Sequence, residues 1–305
     1  MDGKKDDSVV EVTLGARTVS VPRGGLFDRF RMKTDLDVVM RDPRVPGVEF
    51  FRGLTKAQME SRVGTTMTPN FYYAMSSARV TMTAPVAAIR SRLPRELEPL
   101  QVLPGRGLVS AMFFRYDVDD IDPYLEAAVG VAVRPARHRA PGIVDLASAV
   151  LNDHLHTYVL SLPVTTEIAQ VRGHDGYGFP KWVTGMDIDI TERRVRASVR
   201  NDAGDVDLSM DAKTPPLRSF ATGKNVSSLT SYTQIDGAWH TTFNQTNTLR
   251  SGTSNRPRLD LRLGAGRLSD DLRSLRAGKP IRLDVATSAQ AALHMPAPIS
   301  MPSHS

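Results

Sequence analysis

One stretch of this chain, Gly173 to Trp182 (GHDGYGFPKW), places a lysine where lysines are rarely found. Lys181 lies between Pro180 and Trp182, with Phe179 and Val183 one place further out. The other lysines (Lys4, Lys5, Lys33, Lys56, Lys213, Lys224 and Lys279) sit beside polar, small or turn residues. Pro180 fixes its own φ and drives Phe179 towards an extended shape. Gly176 and Gly178 let the backbone bend tightly and let another surface come close. Such a setting predicts an amine that is held in place and partly desolvated. Desolvation disfavours the charged form of an amine, and a neutral amine adds to a carbonyl to form a Schiff base. The other reading open to the same residues is a lysine whose stem packs on Trp182 while its head reaches water.

The elements that must hold this lysine read as short strands. Val9 to Pro22 alternates around Gly15-Ala16 as a β-hairpin, and Thr55 to Val63 has the pattern of a short helix. Ala78 to Met82 is extended. Thr83 and Pro85 then open a helix carrying Val86, Ile89 and Leu93, which Pro94 stops. Gly107 to Tyr116 and Ala127 to Val133 are apolar strands, residues 143–153 read as helical, and His156 to Pro163 as a strand. Met186 to Ile190, Arg194 to Val199 and Val206 to Met210 read as successive strands, with turn chemistry at Asn201 to Gly204. Asp236-Gly237 marks a hairpin, and Ser269 to Arg276 a short helix capped by Ser269. Many strands and few helices predict an α+β chain that is mostly antiparallel β, a barrel or sandwich with a few packed helices.

Composition narrows the chemistry. The chain has 305 residues, 41% of them hydrophobic, enough for a large core. It has no cysteine, which removes disulfides, thiolate metal sites and a cysteine nucleophile and fits a cytoplasmic protein. The charged N-terminus carries no apolar signal segment, and the longest clean apolar run, Ala127 to Val133, is far too short to span a bilayer. The net charge of +6 is spread along the chain. Its densest cluster (Arg134, Arg137, His138, Arg139) is short, broken by Pro135 and without interleaved aromatics, so no nucleic-acid partner is expected, nor a membrane. Asp117, Asp119, Asp120 and Asp122 lack the glycine and glutamate spacing of a calcium loop and read as a solvated turn. His154 and His156 share a strand face, but no third ligand is identifiable, so no metal site is assigned. The glycines of residues 264–269 do not complete a dinucleotide fingerprint, and no G-x-S-x-G or H-E-x-x-H motif is present.

The segment around Lys181 resembles the active-site motif of the acetoacetate decarboxylase family, in which a lysine follows an aromatic-proline pair. Gly173, Gly178, Phe179, Pro180 and Lys181 stand in register with that motif. That enzyme is itself a standard example of a lysine activated by its surroundings. The resemblance extends to residues 84–100 (APVAAIRSRLPRELEPL), 122–133 (DPYLEAAVGVAV) and 275–298, in the same order. It implies an acetoacetate decarboxylase-like domain over residues 71–300, preceded by an N-terminal extension over 1–70 and followed by a tail at 301–305.

The same resemblance implies a lyase working through a Schiff-base lysine, without a cofactor. The expected reaction is decarboxylation of a β-keto acid. Its rivals are an aldolase, dehydratase or cyclase acting on an oxo-acid through the same lysine, and a ligand-binding barrel in which Lys181 only pairs with a carboxylate. Lys181 falls on the Schiff-base lysine and Glu126 on the glutamate that lines the substrate cavity. Arg79 stands near the place of the family's cavity arginine. Tyr124, Phe179, Trp182, His174 and Asp175 are expected around the substrate. Trp182 occupies the position of a second lysine in the decarboxylases, so a neutral Lys181 would depend on burial rather than on a neighbouring cation. The expected partners are a small oxo-acid and further copies of the chain in a homo-oligomer.

Overall fold

The computed structural model describes residues 8–134 and 154–301. The helix expected at 143–153 and most of the basic cluster lie outside the described residues. The chain opens with the expected hairpin, β1 (Val9–Leu14) and β2 (Arg17–Pro22), followed by helical turns α1 (Leu26–Phe30), α2 (Leu36–Val39) and α3 (Glu49–Arg52). The helix expected from Thr55 to Val63 is instead strand β3 (Ala57–Ser61), paired with β4 (Gly64–Thr68) in a second hairpin. Gly64, at φ +82°, supplies the turn that the helical reading passed over. The two hairpins touch. Gly15 has φ +59°, and a Cβ there would lie 2.1 Å from the Arg62 carbonyl oxygen.

A long strand β5 (Asn70–Pro85) runs into α4 (Val86–Arg90), a helix shorter than its apolar spacing predicts because the strand continues through Thr83. Then follow β6 (Gln101–Leu103), β7 (Arg106–Asp119), β8 (Tyr124–Ala132) and β9 (His154–Ser161). Helix α5 (Glu167–Val171) leads into a π turn at Arg172–Gly176. Beyond it lie β10 (Met186–Ile190), β11 (Arg194–Arg200), β12 (Val206–Lys213), β13 (Arg218–Ser219), β14 (Val226–Ile235), β15 (Ala238–Asn255) and β16 (Leu259–Leu263). Helix α6 (Arg267–Ser274), β17 (Pro280–Leu293) and β18 (Ala297–Pro298) complete the described chain. Helix α6 begins two residues before the expected Ser269 cap. Its first amides, those of Leu268 and Ser269, donate to the Asp207 carboxylate from β12 at 3.0 Å each. A cap supplied from another strand leaves no local signature.

Seven strands close on themselves in the order β15-β14-β9-β8-β7-β5-β17, with β17 returning to β15. All these pairings are antiparallel except β14 with β9. Strand alternation gives the barrel two faces. On the outside, Ala78, Val80 and Met82 of β5, Phe113 of β7, Val129 and Val131 of β8 and Val285 of β17 join one apolar core with the sheet β10-β11-β12-β16 and helix α6. Among them Val199 and Leu208 are fully buried, each contributing about 1.5–3 kcal/mol. The inner face presents successive rows by register: Met75, Tyr116 and Tyr124; then Ser77, Phe114 and Glu126; then Arg79, Met112 and Ala128.

The first hairpin packs where the tyrosine row ends. Val12, Leu14, Val19, Val21 and Phe27 share a core with Tyr72, Met75, Tyr116 and Tyr124. Val39, Val48 and Phe51 pack against Phe71, Tyr73 and Ala292 on the outside. The residues before β5 are thus built into the barrel's packing. Three of the four aspartates do not form a solvated turn. Asp119 is fully buried, Asp120 pairs with Lys56, and Asp122 accepts from the Leu26 amide at the start of α1.

Candidate active site

Lys181 and Glu126 are 55 residues apart in sequence, and one short connector joins their backbones. Residues 161–164, leaving β9, lie between β8 and the lysine segment. The Ala127 amide donates to Pro163 on one side, while Leu162 and Val164 donate to Pro180 and Trp182 on the other. Glu126 thereby bridges to Val164, and Val164 to Val183 in parallel. Ahead of the lysine, α5 tightens into the π turn, and the chain leaves it with Gly178 at φ +73°. The Lys181 side chain lies directly over Gly173, where a Cβ would come within 2.3 Å of Lys181 Cδ and 3.0 Å of Nζ. This glycine is needed for close approach to a side chain, a role its own φ does not reveal.

The two side chains meet inside the barrel. Lys181 Nζ donates to Glu126 Oε2 at 2.6 Å, and the side chains are 7% and 9% exposed. The Nζ also lies 5.6 Å from the centre of the Tyr124 ring. Glu126 Oε1 accepts from the Tyr116 hydroxyl at 3.1 Å. The Tyr72 and Tyr124 rings are each 4.5 Å from the Tyr116 ring, and their hydroxyls bond to one another at 3.2 Å. Burial, reinforced by the Glu126 charge, holds the Tyr116 phenol well above its ordinary range, so it keeps its proton and acts as a donor.

The remaining expected residues divide. Tyr124 faces the lysine. Phe179 is buried with Ala128, Leu162, Tyr177 and Met295, next to Phe114 and Met112. Trp182 turns the other way, as strand alternation requires, with the Arg267 guanidinium 4.8 Å above its ring. His174 is exposed, and its Nδ1 bonds to the Phe179 carbonyl at 3.1 Å, bracing the loop. Asp175 pairs with Arg17 of β2 at 3.9 Å. Arg79 shares the inner face one row beyond Glu126. It pairs with Asp284 at 3.0 Å, which Arg282 also holds, and makes no hydrogen bond or ion pair with Lys181 or Glu126. His154 and His156 do share a face, with rings 4.8 Å apart. Their ring nitrogens bond to Ser228, Thr230 and Tyr232, and no cluster of three or more metal-ligating side chains occurs among the described residues. No helix there is long and apolar enough to cross a membrane.

The sequence reading missed Tyr116, which had a usable signal, and gave Gly173 only as a motif position. Asp119 to Pro123 is turn-rich and joins two apolar strands, and folding them about it sets Tyr116 opposite Tyr124 and diagonal to Glu126.

Residues 58–269 match the family described as Acetoacetate decarboxylase (ADC). The chain belongs to the acetoacetate decarboxylase family. Its barrel agrees with solved structures of that family at low sequence identity. The acetoacetate decarboxylase of Legionella pneumophila subsp. pneumophila str. Philadelphia 1 superposes with a TM-score of 0.54 at 13% identity, covering 76% of this chain and 88% of that one. The enduracididine biosynthesis enzyme MppR complexed with pyruvate gives 0.54 at 14% identity, with 77% and 92% covered. MppR complexed with the condensation product of pyruvate and imidazole 4-carboxaldehyde gives 0.52 at 15%, with 77% and 91% covered. No curated protein matches the chain by sequence. Family and fold together make this an acetoacetate decarboxylase-like enzyme.

Proposed function

We propose that this enzyme is a carbon–carbon lyase that works through a Schiff base on Lys181 and decarboxylates a β-keto acid. The observation that carries this reading is the water-excluded pair itself, Lys181 Nζ on Glu126 Oε2 at 2.6 Å. A proton passing along that hydrogen bond leaves an amine and a carboxylic acid, the two forms the chemistry needs. The amine lone pair attacks the ketone carbon, and the oxygen, protonated in turn, leaves as water to give an iminium. The bond to the β-carboxylate then breaks, carbon dioxide departs, and the electron pair forms an enamine as the C=N pair returns to nitrogen. Glu126, which gave its proton to the departing oxygen, takes up another from solvent water and delivers it to the enamine carbon; water then hydrolyses the iminium, freeing the product and leaving Lys181 protonated again. The apolar neighbours Phe114 and Phe179 favour the step, because a carboxylate loses its charge as it leaves.

The same enamine can add to an aldehyde instead. An aldol-type condensation is the second reading, and the pyruvate–aldehyde product bound by MppR favours it. The test is incubation with acetoacetate, pyruvate and a longer β-keto acid, reduction with borohydride, and intact mass of wild type and Lys181→Ala. The expected result is a reduced adduct that the variant lacks, with carbon dioxide release separating decarboxylation from condensation. An adduct of the same size on Lys181→Ala overturns the proposal, because the reactive amine then lies elsewhere.

A further inference from the structure

Glu126 has two oxygens and two different partners. Oε2 faces the amine, and Oε1 is held by a neutral phenol. That phenol cannot turn away, since its ring is packed between Tyr72 and Tyr124 and lies 5.9 Å from a parallel Phe114. The Tyr124 hydroxyl is spent on Tyr72, which leaves Tyr116 as the hydroxyl that orients the carboxylate.

We infer that Tyr116 is a positioning residue for proton transfer: by donating to Oε1 it fixes the plane of the Glu126 carboxyl so that Oε2 faces both Lys181 Nζ and the carbon beside the iminium formed there. The inference rests on the Schiff-base reading. In the step concerned, Oε2 takes a proton from that carbon. The C–H electron pair becomes the enamine double bond, and the C=N pair returns to nitrogen; protonation of the enamine is the reverse. A carboxylate free to rotate about its last bond would still pair with the ammonium but would present Oε2 to the carbon only part of the time. Tyr116 should therefore act on proton transfer and not on formation of the Schiff base.

The experiment uses the full chain with pyruvate in deuterium oxide. Methyl exchange is followed by proton NMR, and imine content is measured by borohydride trapping and intact mass. Tyr116→Phe is expected to trap as much adduct as wild type while exchange slows about tenfold, the scale of one hydrogen bond to a charged group. Tyr72→Phe, which removes an equally buried hydroxyl from the same ring cluster without touching Glu126, should slow exchange by less than about twofold. A Tyr116→Phe protein with full adduct and wild-type exchange overturns the inference alone. So does one that loses adduct and exchange together, since the hydroxyl then supports the lysine or the fold. A wild type that traps neither pyruvate nor acetoacetate overturns the Schiff-base reading, and the inference falls with it. If Tyr116→Phe does not fold, 3-fluorotyrosine at position 116 keeps the shape and alters the donor. Exchange should then shift by about twofold or more at constant adduct, and an unchanged rate overturns the inference.

Discussion

Among the described residues two lysine–carboxylate pairs are buried, each with an aromatic ring beside the ammonium, and they differ in how completely they are tied down. Lys56 and Asp120 are 13% and 11% exposed, with Lys56 Nζ 4.4 Å from the Phe71 ring centre. Lys181 and Glu126 are 7% and 9% exposed, with the Tyr124 ring at 5.6 Å. Asp120 accepts from Lys56, the Phe71 amide at 2.7 Å, the Tyr73 hydroxyl at 2.6 Å and Thr34 at 3.4 Å. Lys56 itself also donates to Thr34 at 2.9 Å. Among the described residues Glu126 accepts only twice, and it is the sole hydrogen-bond partner of Lys181 Nζ. Burial beside a carboxylate is common to both lysines and does not by itself distinguish them. A saturated pair fastens the N-terminal segment to β5, whereas the pair inside the barrel is held by one hydrogen bond to the amine and one to the other carboxylate oxygen.

The sharpest way to break this comparison is to exchange the readouts. Lys181→Ala should abolish the borohydride-trapped adduct and reduce turnover to background, whereas Lys56→Met should trap as wild type does. Next in size is Glu126→Gln, which keeps the shape but cannot exchange the proton; turnover should fall by roughly 10²–10⁴-fold in steady-state assays. Gly173→Ala places a methyl group 2.3 Å from Lys181 Cδ, so the amine must move. Since a misplacement of about 1 Å costs on the order of 10²-fold, adduct formation should slow by about that factor.

The smaller effects concern stability. Lys56→Met breaks a buried pair and should cost about 3 kcal/mol in urea unfolding, with the adduct unaffected in the protein that remains folded. The neighbouring Asp119 sharpens the contrast through pH. Burial raises its carboxyl well above the ordinary 3.8, against a backbone hydrogen bond from Ile121 that lowers it. Between 3.8 and that raised value the native state binds a proton that the unfolded state has released, so stability falls as pH rises. Asp119→Asn should remove that decline. Thermal midpoints at pH 4.5 and pH 7.5 should show the variant gaining on wild type at the higher pH, and a gain confined to low pH would contradict the assignment.

The hairpin at Val9 to Pro22, the strands at 186–190 and 194–200 and the Asp236-Gly237 turn were legible because period-2 alternation and turn residues are local properties. Thr55 to Val63 was not. Its residues suit either period, and the pairing of β3 with β4, seated against Gly15, decided for strand. The cap of α6 and the structural use of Asp119, Asp120 and Asp122 depend on partners far along the chain. The site was half legible. The types and order of residues pointed to Lys181 and Glu126, but the expected source of desolvation was misplaced. Trp182 and Val183, its sequence neighbours, lie outward or exposed, because adjacent residues of an extended segment point to opposite sides. Gly173, Tyr124 and the barrel wall surround the amine instead.

The sequence by itself determined the chemistry on offer: a lysine behind an aromatic-proline pair, a glutamate on an apolar strand, no thiol, and enough alternating segments to close a sheet. Those are properties of residue type and short spacing. Only the tertiary structure decided which lysine meets Glu126, which oxygen of Glu126 faces it, that Tyr116 holds the other, and that Arg79 is held by Asp284 rather than by Glu126. These follow from strand register and from the connector at 161–164, and register is settled by the packing of the whole barrel, not by any one strand.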